Sequence, residues 1–391
     1  MQCDVAIVGA GAAGLSLAWR LVIPPPGVTP PSVVVIDAPP GPLRPPPRTW
    51  CYWERGTGEY DPWLSASWRS VRLRAPDGRV VHRDLGGGFR YKMLTSESFT
   101  RELRSRLTDV RFVEATVTGI SDRPDGVAVT CHGADGADER ITARWAFDSR
   151  SAEPEPPARI RLLQHFKGWF VRTARPAFTP DAVDLMDFRT LQPPHGLSFG
   201  YVLPLTAHEA LVEYTEFSSG PLSEEAYDEA LRHYTGSLLR LEDFEVRAVE
   251  RGRIPMTDAS HRRRAGSSTF RIGAAGGAVR PSTGYAFGAI QRQTRAVAAL
   301  VHANREPLPP AAYPARAHAM DRVVLHGLDS GRLSGPDFFT GLFESVPADR
   351  LLRFLDGRTR PLEDVGIGLR TPVPTMLRLV AELPFAGRRT L

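Results

Sequence analysis

The sequence is short of several residue types whose presence would define a class at once. It holds 3 cysteines in 391 residues, too few for a disulfide framework, and it has no C-x-x-C pair of the kind that holds a metal. A reducing, cytoplasmic setting is the expectation. Lysine is nearly missing: Lys92 and Lys167 are the whole complement, so the 49 basic residues are almost all arginine. Set against 44 acidic residues they leave a net charge of +5, spread along the chain, with Arg262-Arg263-Arg264 in its densest run. Nucleic-acid binders gather such charge on one segment, so no nucleic-acid partner is expected and the run reads as a solvated loop. No apolar stretch reaches the ~18 residues of a spanning helix. The first apolar stretch runs into glycines rather than a signal-peptide cleavage site, and no internal repeat is visible.

What is present is a large apolar fraction, 42%, beside 35 glycines and 35 prolines, which excludes global disorder and allows a sizeable core. Val5-Ala6-Ile7-Val8 reads as a buried parallel strand. Gly9-Ala10-Gly11-Ala12-Ala13-Gly14 follows it, then a helix-compatible segment from Leu15 to Val22. Prolines at 24–26 forbid helix there, and Ser32 to Ile36 gives a second buried strand closed by Asp37. Ser96 to Leu107 begins as a capped amphipathic helix. Strands are expected over 110–117, 127–131 and 141–147, more strands and turns over 160–217, a helix over 223–241 and another over 288–302.

The glycine motif has the context that gives it meaning. Gly9 permits a tight turn, Gly11 lets backbone approach a pyrophosphate, and Gly14 allows close helix–strand packing. The N–H groups at Ala12 and Ala13 open the helix, whose terminus favours an anion. Asp37 lies 23 residues past Gly14, where an acid accepts bonds from ribose hydroxyls. This is a dinucleotide site. FAD is favoured over NAD by the proline-rich connection, the long β-rich middle and a late glycine-rich segment, Gly273-Ala274 onward through Pro281, Gly284 and Tyr285, placed to close over a flavin. No second complete G-x-G-x-x-G provides a separate nicotinamide domain. The expected fold is therefore α/β: a Rossmann-type FAD-binding core with an inserted β-rich substrate domain and a helical C-terminal region. Its expected divisions are 1–160 and 256–310 for the two parts of the core, 161–255 for the substrate region and 311–391 for the helices.

The chain resembles the FAD-dependent lycopene cyclases through residues spread over nearly its whole length. They include Arg48-Thr49-Trp50-Cys51-Tyr52-Trp53, Gln164-His165-Phe166-Lys167-Gly168-Trp169 and Leu185-Met186-Asp187-Phe188-Arg189. Tyr201-Val202-Leu203-Pro204-Leu205, Val212-Glu213-Tyr214-Thr215 and Gly252-Arg253-Ile254-Pro255-Met256 continue the likeness. Pro281-Ser282-Thr283-Gly284-Tyr285-Ala286-Phe287 and Phe338-Phe339-Thr340-Gly341-Leu342-Phe343 complete it. The resemblance implies an isomerase that closes the linear ψ-ends of lycopene into β-rings, yielding γ- or β-carotene. It also implies FAD in reduced form and NAD(P)H as the electron source. Glu213 matches the family's acid. The plant enzymes carry two adjacent glutamates there, but the second position is Tyr214 here, and Glu216, three residues on, points to the other face of a strand.

Ring closure needs a proton delivered to an alkene carbon, and a carboxyl kept protonated by burial can deliver it. Aromatic faces stabilise the resulting cation. The expected substrate-lining residues are Trp50, Tyr52, Trp53, Trp169, Phe188 and Phe287, with Phe166 and Tyr285 as further aromatic candidates. His165 and Lys167 read as hydrogen-bonded scaffold and Cys51 as a small buried hydrophobe. Other readings keep the fold and change the chemistry: a cyclase of another prenyl chain, a flavin monooxygenase or an isoprenoid reductase. Hydroxylases often carry Gly-Asp in the late flavin segment, and here Gly273 precedes Ala274. Lycopene partitions into bilayers, so peripheral membrane association is expected; 338–343 and 376–385 are apolar enough to serve as surface helices, with burial inside the protein the other reading of each.

Overall fold

A computed structural model describes residues 1–133, 136–151 and 156–385. The N-terminal strand β1 (Gln2–Val8) is buried along its apolar run and feeds helix α1 (Ala12–Leu21) through the glycine turn. β2 (Val33–Asp37) runs parallel beside it. Three further strands, β3 (Thr49–Arg55), β4 (Ala66–Trp68) and β7 (Phe89–Thr95), form a small antiparallel sheet. Between them in sequence, β5 (Ser70–Arg74) and β6 (Val80–Asp84) leave for another sheet. Thr95 then caps helix α2 (Ser96–Arg104) by accepting from the Ser98 N–H, which satisfies one orphan donor of the first turn.

β8 (Arg111–Arg123), β9 (Gly126–Gly133) and β10 (Asp138–Asp148) make an antiparallel meander. β10 also runs parallel beside β1, and β8 beside β2, so the meander joins the first two strands in a six-stranded sheet. Its last member, β16 (Thr269–Arg271), returns from late in the chain to pair with β10. Val5, Ile7, Val33 and Val35 pack there against Leu15 and Leu17 of α1 and against Ile290 and Val297 of helix α4 (Phe287–His302).

The middle of the chain builds a second, seven-stranded sheet. β11 (Arg161–Thr173) lies between β14 (Glu209–Ser218) and β15 (Phe244–Thr257), and the order continues through β13 (Leu197–Pro204) and β12 (Ala182–Asp187) to β5 and β6. Residues 70–84 thus supply two strands of this sheet, although the sequence reading counts them with the first part of the core. β5 alternates, with Val71 and Leu73 buried and Arg72 and Arg74 between them, but nothing local says which sheet it joins. One face of the sheet meets the C-terminal helices: Leu197, Phe199, Leu211 and Phe217 pack with residues of α5 (Ala315–Asp329), α6 (Gly335–Ser345) and α7 (Ala348–Leu355). The other face carries Val171, Val202 and Val212 beneath Tyr227 and Leu231 of helix α3 (Glu224–His233). The sequence expected that helix to run on to Leu241. It gives way at Tyr234 to one π-turn ending at Leu238.

The stretch 338–343 is not a membrane-facing helix. Phe338, Phe339, Leu342 and Phe343 lie on α6 and are buried in the main core. Apolar composition alone does not distinguish the two fates, because a buried helix and an interfacial one draw on the same residues. The last helices, α8 (Pro361–Gly368) and α9 (Val373–Glu382), do present apolar side chains outward: Leu362, Val365, Leu369, Leu377 and Val380 are exposed.

The loop 280–285, between β16 and α4, is fixed by a buried ion pair. Arg280 Nε meets Asp321 Oδ2 of α5 at 2.8 Å, with both side chains 2% exposed. Ser282 Oγ donates to the same carboxylate at 2.7 Å, and Arg280 Nη1 donates to the Phe354 carbonyl. Asp321→Asn keeps the shape but leaves the guanidinium uncompensated, a change that costs about 3–5 kcal/mol in buried pairs. Urea denaturation is expected to show a loss of that order; a midpoint unchanged from wild type would mean the pair does not hold the loop.

Candidate functional site

The two glycine segments foreseen in the sequence come together. Gly9 sits at φ +96°, a conformation only glycine adopts freely. A Cβ on Gly14 would lie 1.9 Å from the Gly9 carbonyl oxygen, whereas one on Gly11 would meet nothing within 4 Å. The turn is thus packed tightly at its base and open at its rim, where Ala12 and Ala13 begin α1. Asp37 ends β2, accepts from the Ala10 N–H at 3.0 Å and is paired with Arg44 at 3.2 Å. Gly273 packs against Ala13, for a Cβ there would approach the Ala13 Cβ to 2.9 Å. Ala274, next to it, is exposed.

From that point the late loop passes to the seven-stranded sheet. Pro281 is buried, and Gly284 lies against Gln164 of β11, whose Oε1 a Cβ would meet at 2.2 Å. Gln164 Oε1 and Thr283 Oγ1 are buried without a hydrogen-bond partner among the described residues. Buried polar atoms are normally paired, so two orphans flanking one glycine mark a place built for a polar ligand edge. The open rim at Gly11, the acid at Asp37 and these two atoms fit an extended dinucleotide such as FAD. They would hold its pyrophosphate at α1, its ribose at Asp37 and its ring system beside 281–285.

The acid lies on the sheet face that meets this loop. Residues opposite one another in an antiparallel ladder share a face. Glu213 of β14 pairs with Gly168 of β11 and with Tyr201 of β13, and Gly168 pairs in turn with Glu250 of β15. Glu213 is 6% exposed and its Oε1 accepts from the Thr215 hydroxyl at 2.6 Å. Burial, reinforced by the charge of Glu250 and opposed by the Thr215 bond, raises its pKa to about 8. It is a carboxylic acid at neutral pH. Nearby, Tyr91 OH lies 2.7 Å from Tyr201 OH and 3.0 Å from Tyr285 OH. Burial pushes all three phenols well above their ordinary range, so they remain neutral and present polarisable rings. Cys51, whose thiol burial pushes up to about 12, interacts with Tyr201, Glu250, Tyr91 and Glu213.

Strand alternation sorts the remaining candidates. On β3, Thr49, Cys51 and Trp53 face the acid side, and Trp53 lies 4.5 Å from the Tyr285 ring. Trp50 and Tyr52 face the other way and stack on Phe287 at 5.6 and 4.7 Å in the core around α1 and α4. Tyr52, Trp53 and Phe287 border a cleft of about 400 Å³ that also holds Arg55, Arg292 and Arg353. Phe166 shares the acid face through its pairing with Thr215. Trp169 does not: one residue past Gly168, it points to the opposite face and packs near Phe244. Phe188 is fully buried, edge-on to Phe199.

The back face takes the groups read as scaffold. His165 bonds Tyr227 OH at 2.6 Å and Ser218 Oγ at 2.7 Å, and burial, with Arg253 nearby, lowers its pKa to about 4. Lys167 bonds Glu224 and Asp228. Tyr214 donates to Glu216 at 2.7 Å on that same face, so neither replaces a second acid beside Glu213. The sequence reading missed Tyr91, Tyr201 and Glu250. The period-2 series Glu250, Gly252, Ile254 was available for the last, but without the pairing of β11 nothing connects it to Glu213.

The fold is that of flavoproteins. A geranylgeranyl bacteriochlorophyll reductase-like protein from Thermoplasma acidophilum superposes with a TM-score of 0.60 at 12% identity, covering 98% of this chain and 99% of that one. The p-nitrophenol 4-monooxygenase of Pseudomonas putida DLL-E4 gives 0.57 at 15%, with 100% of both chains covered. The flavin-dependent brominase Bmp2 gives 0.61 at 12%, covering 91% and 94%. A search of curated proteins finds no match. Within this class, the model of the family described as lycopene cyclase protein matches residues 4–381. The chain belongs to that family.

The raised acid has a consequence for folding. Between pH 4.5, the ordinary value, and about 8, folded Glu213 holds a proton that the unfolded chain has released. Raising pH through that window therefore favours unfolding, with a slope of at most about 1.4 kcal/mol per pH unit. Glu213→Gln should flatten the fall in urea-denaturation stability across the window. Parallel curves for the two proteins would show that the acid is ionised in the fold.

Proposed function

We propose that the protein is a lycopene β-cyclase that converts ψ-ends to β-ionone rings without net redox change. The observation that carries this reading is Glu213: a protonated carboxyl, buried among aromatic rings, on the face that meets the flavin-site loop, in a chain of the lycopene cyclase family. Glu213 gives its proton to the terminal double bond of the ψ-end, leaving a tertiary cation. The neighbouring double bond attacks that cation, one carbon–carbon bond forms, and the charge moves to a ring carbon. Loss of a ring proton then yields the ring alkene, an isomer of the starting polyene. Tyr201, Tyr285 and Trp53 lie on the acid's side of the sheet, and in this reading their rings stabilise positive charge by their quadrupoles. Burial of the acid limits the water that would trap the cation as an alcohol.

FAD is the cofactor in this reading, held at Gly9, Gly11, Ala12, Ala13, Gly14, Asp37, Gly273, Ala274, Pro281, Gly284 and Tyr285. When bound and reduced, it supplies negative charge beside the developing cation. NAD(P)H is proposed as the electron source. The same fold in a reductase-like protein, a monooxygenase and a brominase makes oxygenation the reading to exclude, and Ala274 argues against it, standing where many hydroxylases carry aspartate.

Reduced-flavin protein mixed anaerobically with lycopene-loaded liposomes should form β-rings. Glu213→Gln should lower the rate at least about 100-fold, the scale of general acid catalysis, while FAD absorbance is retained. Full activity of that variant would overturn the acid assignment. Oxygen in the product, or ring closure only on another prenyl chain, would overturn the lycopene reading.

We also propose that the protein works at the cytoplasmic surface of a membrane, where its substrate dissolves. No helix of the described residues is long and apolar enough to cross a bilayer. Leu362, Val365 and Leu369 recur at helical spacing on the outer side of α8, and Leu377 and Val380 do so on α9, ahead of Phe385, which is 87% exposed. Exposed Arg370 and Arg378 lie beside them, and each cation near an anionic surface contributes about 1 kcal/mol. The wild-type chain should float with anionic vesicles, and Leu362→Asp combined with Leu377→Asp should leave it in the dense fraction. Equal flotation of both would remove α8 and α9 as the contact.

A further inference from the structure

Glu250 is the second buried carboxylate on the face that carries Glu213, and the reaction as described gives it no task. Gly168 of β11 pairs with both acids, one on each side. They therefore flank a position with no side chain. A Cβ at Gly168 would come within 2.8 Å of Leu211 Cδ1 and 3.4 Å of Glu213 Cβ, so glycine lets the Leu211 and Glu213 side chains close directly over the strand between the two acids. One step along the sheet stands Phe166, whose ring lies over Gly252, 2.1 Å from where a Cβ would sit. Cys51 lies within electrostatic reach of both acids.

The two carboxyls have unlike partners. Among the described residues Glu213 accepts one hydroxyl bond, from Thr215. Glu250 accepts two from one residue of β3: the Thr49 N–H donates to Oε1 at 2.6 Å, and the Thr49 hydroxyl to Oε2 at 2.5 Å. Burial raises its pKa as well, but both Thr49 bonds and the Arg48 charge oppose that rise, whereas Glu250 itself raises Glu213. Donors and a cation favour the ionised form, and a neighbouring anion favours the neutral one. Two acids in environments that push them apart divide into an acid and a base.

We propose that Glu250 is the base that ends the reaction, taking the ring proton after Glu213 has supplied the first one. This rests on the cyclase reading above. In the step, the ring C–H bond breaks, its electron pair becomes the ring double bond, and the proton passes to a Glu250 oxygen. Glu213 is by then a carboxylate. Return of a proton to Glu213 and its loss from Glu250, through exchange with water as product leaves, restores the starting state with no proton or electron consumed.

The test uses FAD-loaded full-length protein, with Glu250→Gln, Glu250→Asp and Thr49→Val beside wild type. Ring formation by Glu250→Gln should fall by about 10²–10⁴-fold, the range of a lost general base. Its residual product should shift toward rings with the double bond elsewhere or toward trapped alcohols, because initiation survives and termination does not. Glu250→Asp should recover the β-ring share, and Thr49→Val, which spares the backbone bond, should slow the reaction without the full loss. A second readout needs no substrate: the Glu213 carboxyl, followed by isotope-edited infrared titration, should lose its proton at lower pH in Glu250→Gln. An unchanged rate and ring distribution, or a Glu213 titration that does not move, would overturn the proposal and leave Glu250 as a strut to Thr49. Wild type that fails to cyclise lycopene would overturn the cyclase reading itself, and the titration would still decide whether the two acids are coupled.

Discussion

The pleat of one central strand governs the chemistry of this protein. β11 is paired along nearly its whole length with β14 on one side and β15 on the other, and successive residues must point to opposite faces. Gln164, Phe166 and Gly168 therefore look toward the flavin-site loop, and His165, Lys167 and Trp169 look toward α3. A one-residue slip of either ladder would exchange the two sets and carry Glu213 or Glu250 to the wrong side. The desolvation that keeps Glu213 protonated follows from this registry, as does the placing of Tyr201 beside it.

The late loop is the second constraint, and it links the two sheets. Gly273 rests on α1, Gly284 rests on Gln164, and between them Arg280 and Ser282 are both held by Asp321. Tyr313 donates to the carbonyls of Ala278 and Tyr285 from outside. A segment with three glycines at positive φ, Gly273, Gly277 and Gly284, has little stiffness of its own. Its shape is imposed by α5, which is why a C-terminal helix matters to a site assembled from early and middle residues.

The sequence made the nucleotide half of the site readable because that half is local. The glycine turn, α1 and the acid at Asp37 follow one another within a single strand–helix–strand unit, and their spacing carries the chemistry. Glu213 could be singled out only through its family motif, since a strand glutamate taken alone reads as solvated. The aromatic set was read as one group because its members share motifs. Pairing separates them: Trp53 goes to the acid side, Trp50 and Tyr52 to the core behind, Trp169 to the back of the sheet. Glu250 was invisible for the same reason. Its relation to Glu213 runs through Gly168, on a strand distant from both in sequence, and only the register reveals it.

The scarcity of lysine has a practical outcome. Lys92 is fully enclosed and bonds Glu54, Asp61 and the Gly56 carbonyl, while Lys167 is held by Glu224 and Asp228. Both of the chain's ε-amines are thus locked inside ion pairs. Acylating reagents, amine-directed crosslinkers and lysine-modifying enzymes meet no ε-amine on the folded surface. Reaction of either lysine with such a probe would report local opening of β7 or β11, giving two built-in sensors of unfolding, one in the small sheet and one behind the acids.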